Sequence, residues 1–77
     1  MASAFTAALA GVLEAERVGR SLSNSAMAQL AGMPKESVRQ KLTEGREITV
    51  TDLSKFAAAL GMTRQALVAE AEKEIAR

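Results

Sequence analysis

Residues 24–42 have the sequence NSAMAQLAGMPKESVRQKL, and three of them have the size and spacing that two short crossing helices require. Ala28 is small enough to let two helix axes approach each other closely. Gly32, four residues later, can adopt the left-handed conformation that ends a helix. Val38 can bury the inner face of the next helix. The segment therefore predicts two short helices joined by a tight turn, with the second helix projecting outward.

The free faces of this second helix are polar. They carry Lys35, Glu36, Ser37, Arg39, Gln40 and Lys41. A projecting helix with charged and amide side chains is suited to entering the major groove of DNA. DNA binding is therefore the leading hypothesis from the sequence.

Capping and stop residues divide the chain into helices, because Ser and Thr hydroxyls accept hydrogen bonds from the free N–H groups of a first turn. The expected elements are a first helix capped by Ser3 and running to about Arg17, a second capped by Ser23 and ending near Ala31, a third starting at Pro34, a fourth capped by Thr49 with Asp52 and ended by Gly61, and a fifth capped by Thr63. No strand pattern or repeat is present. We expect one all-α domain over residues 1–77, with the crossing pair at 23–43 and a C-terminal helix at 63–77.

Apolar residues at steps of three and four predict the core. The expected core residues are Met27, Leu30, Val38, Leu42, Leu53, Phe56 and Leu60. In the last helix, Leu67 can also reach the core. By contrast, Val68, Ala71 and Ile75 lie on a different stripe, which we expect to be exposed and available for a homodimer.

The composition argues against several function classes. The chain has no cysteine and no histidine, so neither a disulfide framework nor a zinc finger can support it. Asp52 is best explained as a helix cap, and the glutamates at 70, 72 and 74 lie on a solvated helix without the apolar setting that shifts proton affinities. We expect no catalysis, no metal, no cofactor and no small-molecule ligand.

The sequence also contains no candidate membrane segment. No apolar run reaches the roughly 18 residues that a transmembrane helix needs. The first residues, MASAFTAALAGVLEAE, lack the basic leading segment of a signal peptide. We expect a cytoplasmic protein, in the nucleoid or in host cytoplasm.

Positive charge is concentrated in the middle of the chain. The net charge is only +1 overall, but residues 17–46 hold six basic and two acidic side chains, a net charge of +4. Such an excess next to the projecting helix would neutralise phosphates and make DNA affinity fall with salt. A solvated helix surface without a ligand is the other interpretation.

Several residues in order resemble the helix-turn-helix family of the lambda repressor and Cro type, also called the XRE family. The matching residues lie between Leu9 and Leu67: Leu22-Ser23, Met27-Ala28, Gly32, Val38, Leu42, the run ITVTDL at 48–53 and the run ALGMT at 59–63. The resemblance implies a five-helix, lambda-repressor-like DNA-binding domain with its third helix in the major groove.

The resemblance also implies roles for individual side chains. It places Lys35, Glu36 and Gln40 at base edges, with Arg39 close enough to join them, and Asn24 against a phosphate. Two positions depart from the family pattern: Pro34 replaces a usual Ser or Thr cap, and Lys41 stands at a usually apolar position. The complete set of expected DNA-binding residues is Asn24, Lys35, Glu36, Ser37, Arg39, Gln40, Lys41 and Arg46.

Three functions remain open from the sequence. The first is a sequence-specific transcriptional regulator that binds double-stranded DNA, which we expect to be a phage or bacterial repressor acting as a homodimer. The second is a protein-interaction module on the same fold, comparable to an antitoxin or an antirepressor. The third is a DNA-binding domain that acts as a monomer with a larger partner. The near-neutral total charge motivates the second hypothesis, and the local excess of basic residues supports the first.

Overall fold

Five α-helices account for most of the chain in the computed structural model, which describes residues 3–76. They are α1 (Ala4–Gly19), α2 (Asn24–Ala31), α3 (Lys35–Thr43), α4 (Val50–Leu60) and α5 (Arg64–Ala76). The described residues contain no strand, so the expected all-α class with five helices is confirmed. The expected limits 1–77 and 63–77 include residues 1, 2 and 77, which lie outside the described residues. No helix between residues 3 and 76 has the length and apolarity to cross a membrane.

Side-chain caps start four of the helices where the sequence predicts them. The hydroxyl oxygens of Ser3, Ser23 and Thr63 each accept a hydrogen bond from the backbone N–H of the residue three positions later in the chain. The donor–acceptor distances are 3.0–3.1 Å. Thr49 and Asp52 form a reciprocal capping box, in which the backbone N–H of each residue donates to the side chain of the other at 2.9 and 3.0 Å. These bonds satisfy N–H groups that a helix leaves free at its start.

The turn between α2 and α3 depends on Gly32. This residue has φ 67° and ψ 37°, the left-handed conformation expected for it. The N–H of Met33 then donates to the carbonyl of Ala28 at 3.0 Å, which closes the end of α2. Pro34 is the N-cap of α3 and not its first helical residue, because its ψ of 140° is extended. Only three residues, Gly32, Met33 and Pro34, therefore separate α2 from α3.

The core lies beneath α3. Helix α1 packs along α5 and against α3, while α2 packs against α3 and α4. The fully buried large side chains are Phe56, Leu13, Met27, Leu67 and Val38. Val38 and Leu42 are the two buried residues of α3, so they attach that helix to the body.

The prediction that Leu30 is a core residue is wrong, since Leu30 is 57% exposed. The inner side of α2 is formed by Met27, Ala28 and Ala31. At about 100° per residue, Leu30 points roughly 100° away from the centre of that face. That inward face packs against α3 and α4, and Leu30 lies outside it.

The prediction that Ala71 lies on an exposed stripe is also wrong. Ala71 is fully buried, as is Leu67 one helical turn before it. Residues four apart share a helix face, so the face of α5 that packs on the core includes Ala71. Val68 is partly buried against the edge of the core, and Ile75 is 48% exposed. The stripe available for contact therefore contains Val68 and Ile75 without Ala71.

The left-handed turn can be tested with two glycines. A Cβ atom added at Gly32 or at Gly11 would meet no atom within 4 Å, so only backbone preference distinguishes them. We expect Gly32→Ala to lower the free energy of unfolding by about 1–2 kcal/mol, because its φ disfavours a side chain. We expect Gly11→Ala, inside α1, to raise it by about 0.5–1 kcal/mol. Urea denaturation measures both changes, and equal effects of the two substitutions would contradict the assigned turn.

Candidate nucleic-acid interface

The outer face of α3 is open to solvent. Lys35 and Glu36 are exposed, whereas Ser37, Arg39 and Gln40 are partly exposed. These five are among the expected DNA-binding residues, and the structure brings them together on one short helix. The helix therefore projects polar side chains away from the core, as the sequence predicts.

The N-terminal end of α3 is positively polarised and has no side-chain cap. Pro34 provides no side-chain hydrogen bond to the first turn. Lys35, at the first helical position, makes no ion pair with any residue between 3 and 76. Free N–H groups, the helix dipole and a lysine together form a place where an anion is stabilised.

Arg39 is held between two carboxylates. Its Nε donates to Oε1 of Glu36 at 3.0 Å, and Nη2 donates to the same oxygen. Its Nη1 donates to Glu44, just beyond the end of α3. The hydrogen bond from Arg39 lowers the pKa of Glu36, and the hydrogen bonds to Glu36 and Glu44 raise the pKa of Arg39. Glu44 is absent from the residues expected from the sequence.

Lys41 connects α3 to the start of α4. Its Nζ donates to Oδ2 of Asp52 at 2.7 Å and lies 3.4 Å from the carbonyl oxygen of Glu47. Both charged side chains are largely buried, with 18% and 13% of their surface exposed. The expected phosphate contact of Lys41 stays a prediction, but its ammonium already has a carboxylate partner in this structure.

The environment of Asp52 determines its titration. Burial acts to raise the pKa of Asp52, but the hydrogen bonds from Lys41 and Thr49 outweigh burial and lower it. Among the described residues, no group of three His, Cys, Asp or Glu side chains is arranged to hold a metal ion. The position of Asp52 in the capping box agrees with the structural role expected for it.

Arg17 and Arg20, which flank the predicted interface in the sequence, also form ion pairs. Arg17 pairs with Glu14, and it donates to the carbonyl of Leu22 at 2.6 Å. Arg20 pairs with Glu16. Of the six basic residues between 17 and 46, four are thus paired, while Lys35 and Arg46 have no ion-pair partner within residues 3–76. The accessible positive charge is smaller than the sequence count suggests.

The loop after α3 is folded back onto that helix. The backbone N–H groups of Glu44 and Arg46 both donate to the carbonyl of Gln40, at 3.0 and 3.3 Å. Gly45 between them has φ 73°, which permits the reversal. The exposed side chain of Arg46 therefore stays close to the C-terminal end of α3.

Asn24 is the first residue of α2 and is partly buried. Its Oδ1 is buried and has no hydrogen-bond partner within the described residues. The expected phosphate contact of Asn24, through Nδ2 or the backbone N–H, stays a prediction.

The arrangement of α2, the turn and α3 on a five-helix core defines a helix-turn-helix domain. The chain is similar to the crystal structure of a point mutant of the restriction–modification controller protein C.Esp1396I, with a TM-score of 0.89 over 100% of this chain and 98% of that one. Sequence identity is 16%, so the likeness shows the fold alone. It confirms the helix-turn-helix fold that the resemblance to the lambda repressor and Cro type predicts. No family model and no curated protein sequence matches the chain.

The link between α3 and α4 predicts a pH dependence of stability. The pKa of Asp52 in the folded protein lies below its ordinary value of 3.8. The ionised carboxylate therefore contributes fully to the free energy of unfolding above pH 3.8, and this contribution is lost as the pH falls through the folded pKa. We expect Asp52→Asn to lower the free energy of unfolding at pH 7 by about 1 kcal/mol and to flatten its decline below pH ~4.

Denaturant titrations at a series of pH values measure this effect. Glu47→Gln is the control, because Glu47 is exposed and only its backbone contacts Lys41. This control should change stability at pH 7 by less than about 0.5 kcal/mol. If the free energy of unfolding of Asp52→Asn falls with decreasing pH in parallel with that of the unmodified protein, the role assigned to Asp52 is contradicted.

Proposed function

We propose that this chain is a sequence-specific regulator of transcription that binds double-stranded DNA by inserting α3 into the major groove. The observation that carries the proposal is the exposed polar face of α3, which only Val38 and Leu42 attach to the core. A short helix attached in this way can enter the groove without moving the rest of the domain. The similar solved structure is that of a restriction–modification controller protein, which supports the same class of function here.

Individual contacts follow from the chemistry of the side chains. Lys35 can donate to guanine O6 and N7, Gln40 can pair with adenine, and Glu36 can accept from cytosine N4. Ser37 lies in the same first turn and can donate to or accept from a base. Arg46 and Asn24, on either side of α3 in the sequence, are assigned to phosphates. Phosphate contacts fix the register of the helix, and the base contacts supply the specificity.

We further propose repression by occupancy of promoter DNA, in the cytoplasm of a bacterium or of a phage-infected host. A single helix-turn-helix domain covers few base pairs, so a second copy on an adjacent half-site increases affinity and specificity. Two-fold related half-sites place the two recognition helices about 34 Å apart. Repression then requires a contact surface between the two copies.

The α4–α5 surface has the features of such a contact. A shallow groove there is lined by Val50, Leu53 and Val68, with Arg64 and Glu72 among its polar residues. Val50 is 69% exposed, more than any other large apolar side chain among the described residues. We therefore assign the homodimer to Val50 and Val68, with Ile75 at the margin and without the buried Ala71.

Charge pattern supports this assignment. Arg64 and Glu72 lie four residues before and four residues after Val68. Two α5 helices that pack antiparallel around a two-fold axis at Val68 bring Arg64 of each copy opposite Glu72 of the other. A self-complementary surface is what a two-fold dimer requires.

DNA binding is tested by selecting bound fragments from a genomic library with the purified protein. We expect a two-fold symmetric sequence to be enriched at physiological salt. Lys35→Ala should reduce discrimination at one base position by about 1–3 kcal/mol. Lys73→Ala is the matched control, because it removes an exposed lysine from α5 and should leave the enriched sequence unchanged.

The same preparation separates the alternative functions. If the unmodified protein and Lys35→Ala bind all fragments equally weakly, specific recognition is refuted. Negligible DNA affinity with no salt dependence would favour the protein-interaction module, since each phosphate contact contributes a slope of about −0.9 to the plot of log affinity against log salt.

Dimerisation is tested by charge reversal on α5. We expect Arg64→Glu to raise the dimer dissociation constant by about three- to tenfold, because two opposed carboxylates replace each ion pair. The double variant Arg64→Glu with Glu72→Arg should restore the original value. Analytical ultracentrifugation measures both. A chain that stays monomeric at all concentrations would favour the domain acting with a larger partner.

A further inference from the structure

We propose that Glu36 and Glu44 direct Arg39 to base edges and away from phosphates, which makes Glu44 a further specificity-determining residue. The inference rests on the proposed function, since it assigns a role within the same DNA-binding surface. Its basis is the ion-paired state of Arg39, which distinguishes this side chain from Lys35 and Arg46, neither of which has an ion-pair partner among residues 3–76.

The hydrogen bonds of Arg39 leave a defined pair of donors. A guanidinium group has five N–H donors, one on Nε and two on each terminal nitrogen. Glu36 accepts from Nε and Nη2, and Glu44 accepts from Nη1. One N–H therefore stays free on each terminal nitrogen. Two donors are what a bidentate contact with guanine O6 and N7 requires.

The charges around Arg39 make its two free N–H donors selective for base atoms over phosphates. Arg39 contributes one positive charge and its two carboxylate partners contribute two negative charges, so the three side chains together are anionic. A phosphate that approaches the guanidinium meets repulsion from both carboxylates. The acceptor atoms of guanine carry no formal charge, so Arg39 can bind them without losing either partner. Glu36 can also accept from the N4 amino group of a cytosine.

The backbone around Arg39 holds Glu44 in place. Glu44 follows the last residue of α3, and its N–H donates to the carbonyl of Gln40 at 3.0 Å. The hydroxyl of Thr43 donates to the carbonyl of Arg39 at 2.6 Å. Because these bonds anchor the residues around it, Glu44 reaches Arg39 although the two are five residues apart and do not share a helix face. Arg39 keeps 40% of its side chain exposed, so its remaining donors can reach a ligand.

The test compares Glu44→Gln with Glu47→Gln, two substitutions that remove the same charge from the same loop. Glu47 is exposed, and its side chain makes no ion pair with residues 3–76, so it controls for the general loss of negative charge. The probes are a 20-base-pair duplex of arbitrary sequence and a duplex carrying the selected site. Affinities are measured by fluorescence anisotropy between about 50 and 300 mM salt.

We expect Glu44→Gln to bind the arbitrary duplex about two- to fivefold more tightly than Glu47→Gln, since an exposed ion pair is weak and its loss frees Arg39 for a phosphate. Its salt slope should be steeper by about 0.9. Affinity for the selected site should rise less, so the ratio of specific to non-specific affinity falls. When Arg39 is also replaced by alanine, Glu44→Gln and Glu47→Gln should give the same duplex affinities and the same salt slopes.

Two results would overturn the inference and leave the proposed function intact. One is equal behaviour of Glu44→Gln and Glu47→Gln in a protein that retains Arg39 and binds its site. The other is a shallower salt slope in Arg39→Ala alone, by about 0.9, because that change would identify Arg39 as a phosphate contact. If the unmodified protein binds neither duplex, the proposed function fails and this inference fails with it.

Discussion

Two buried side chains, Val38 and Leu42, attach helix α3 to the hydrophobic core, and the exposure of most of its other residues depends on that narrow attachment. A helix of nine residues is too short to be stable by itself in water. Its stability comes from packing against the core beneath it, where Ala28 lets α2 lie close. Because so few side chains are needed for this packing, the others remain available for a ligand.

The Lys41–Asp52 ion pair is a second attachment of α3, and it explains an apparent departure from the family pattern. An apolar residue at position 41 would add to the core, whereas Lys41 instead reaches the capping box at the start of α4. Asp52 therefore accepts hydrogen bonds both from its own helix start and from α3. The same helix α4 carries Val50 on the proposed dimer surface. The position of α3 is thus connected, through Asp52 and α4, to the proposed dimer surface at Val50, which would set the distance between the α3 helices of two copies.

Local features of this fold were predictable from the sequence, and features that depend on helix rotation were not. The caps at Ser3 and Thr49 and the turn at Gly32 depend on residues within five positions of each other, so spacing alone identifies them. Leu30 and Ala71 were misassigned because the neighbouring helices determine which side of α2 and α5 faces inward. The Glu36–Arg39 pair has a three-residue spacing that a sequence can reveal. The Arg39–Glu44 contact spans the end of α3, and the Lys41–Asp52 contact spans the loop that contains Gly45, so no helical periodicity indicates either of them.

The number of basic residues is a poor measure of the charge that DNA would meet on this surface. Six basic side chains lie between residues 17 and 46, but only Lys35 and Arg46 have no ion-pair partner among residues 3–76. Of the two residues assigned to phosphates, only Arg46 is charged, which corresponds to a salt slope of about −0.9 for a monomer and about −1.8 for a dimer. Non-specific attraction by one copy is therefore weak, so tight binding has to come from base contacts and from the pairing of two copies. Under the proposed function, the ion pairs increase sequence discrimination, because the charge that they neutralise would otherwise attract DNA of any sequence.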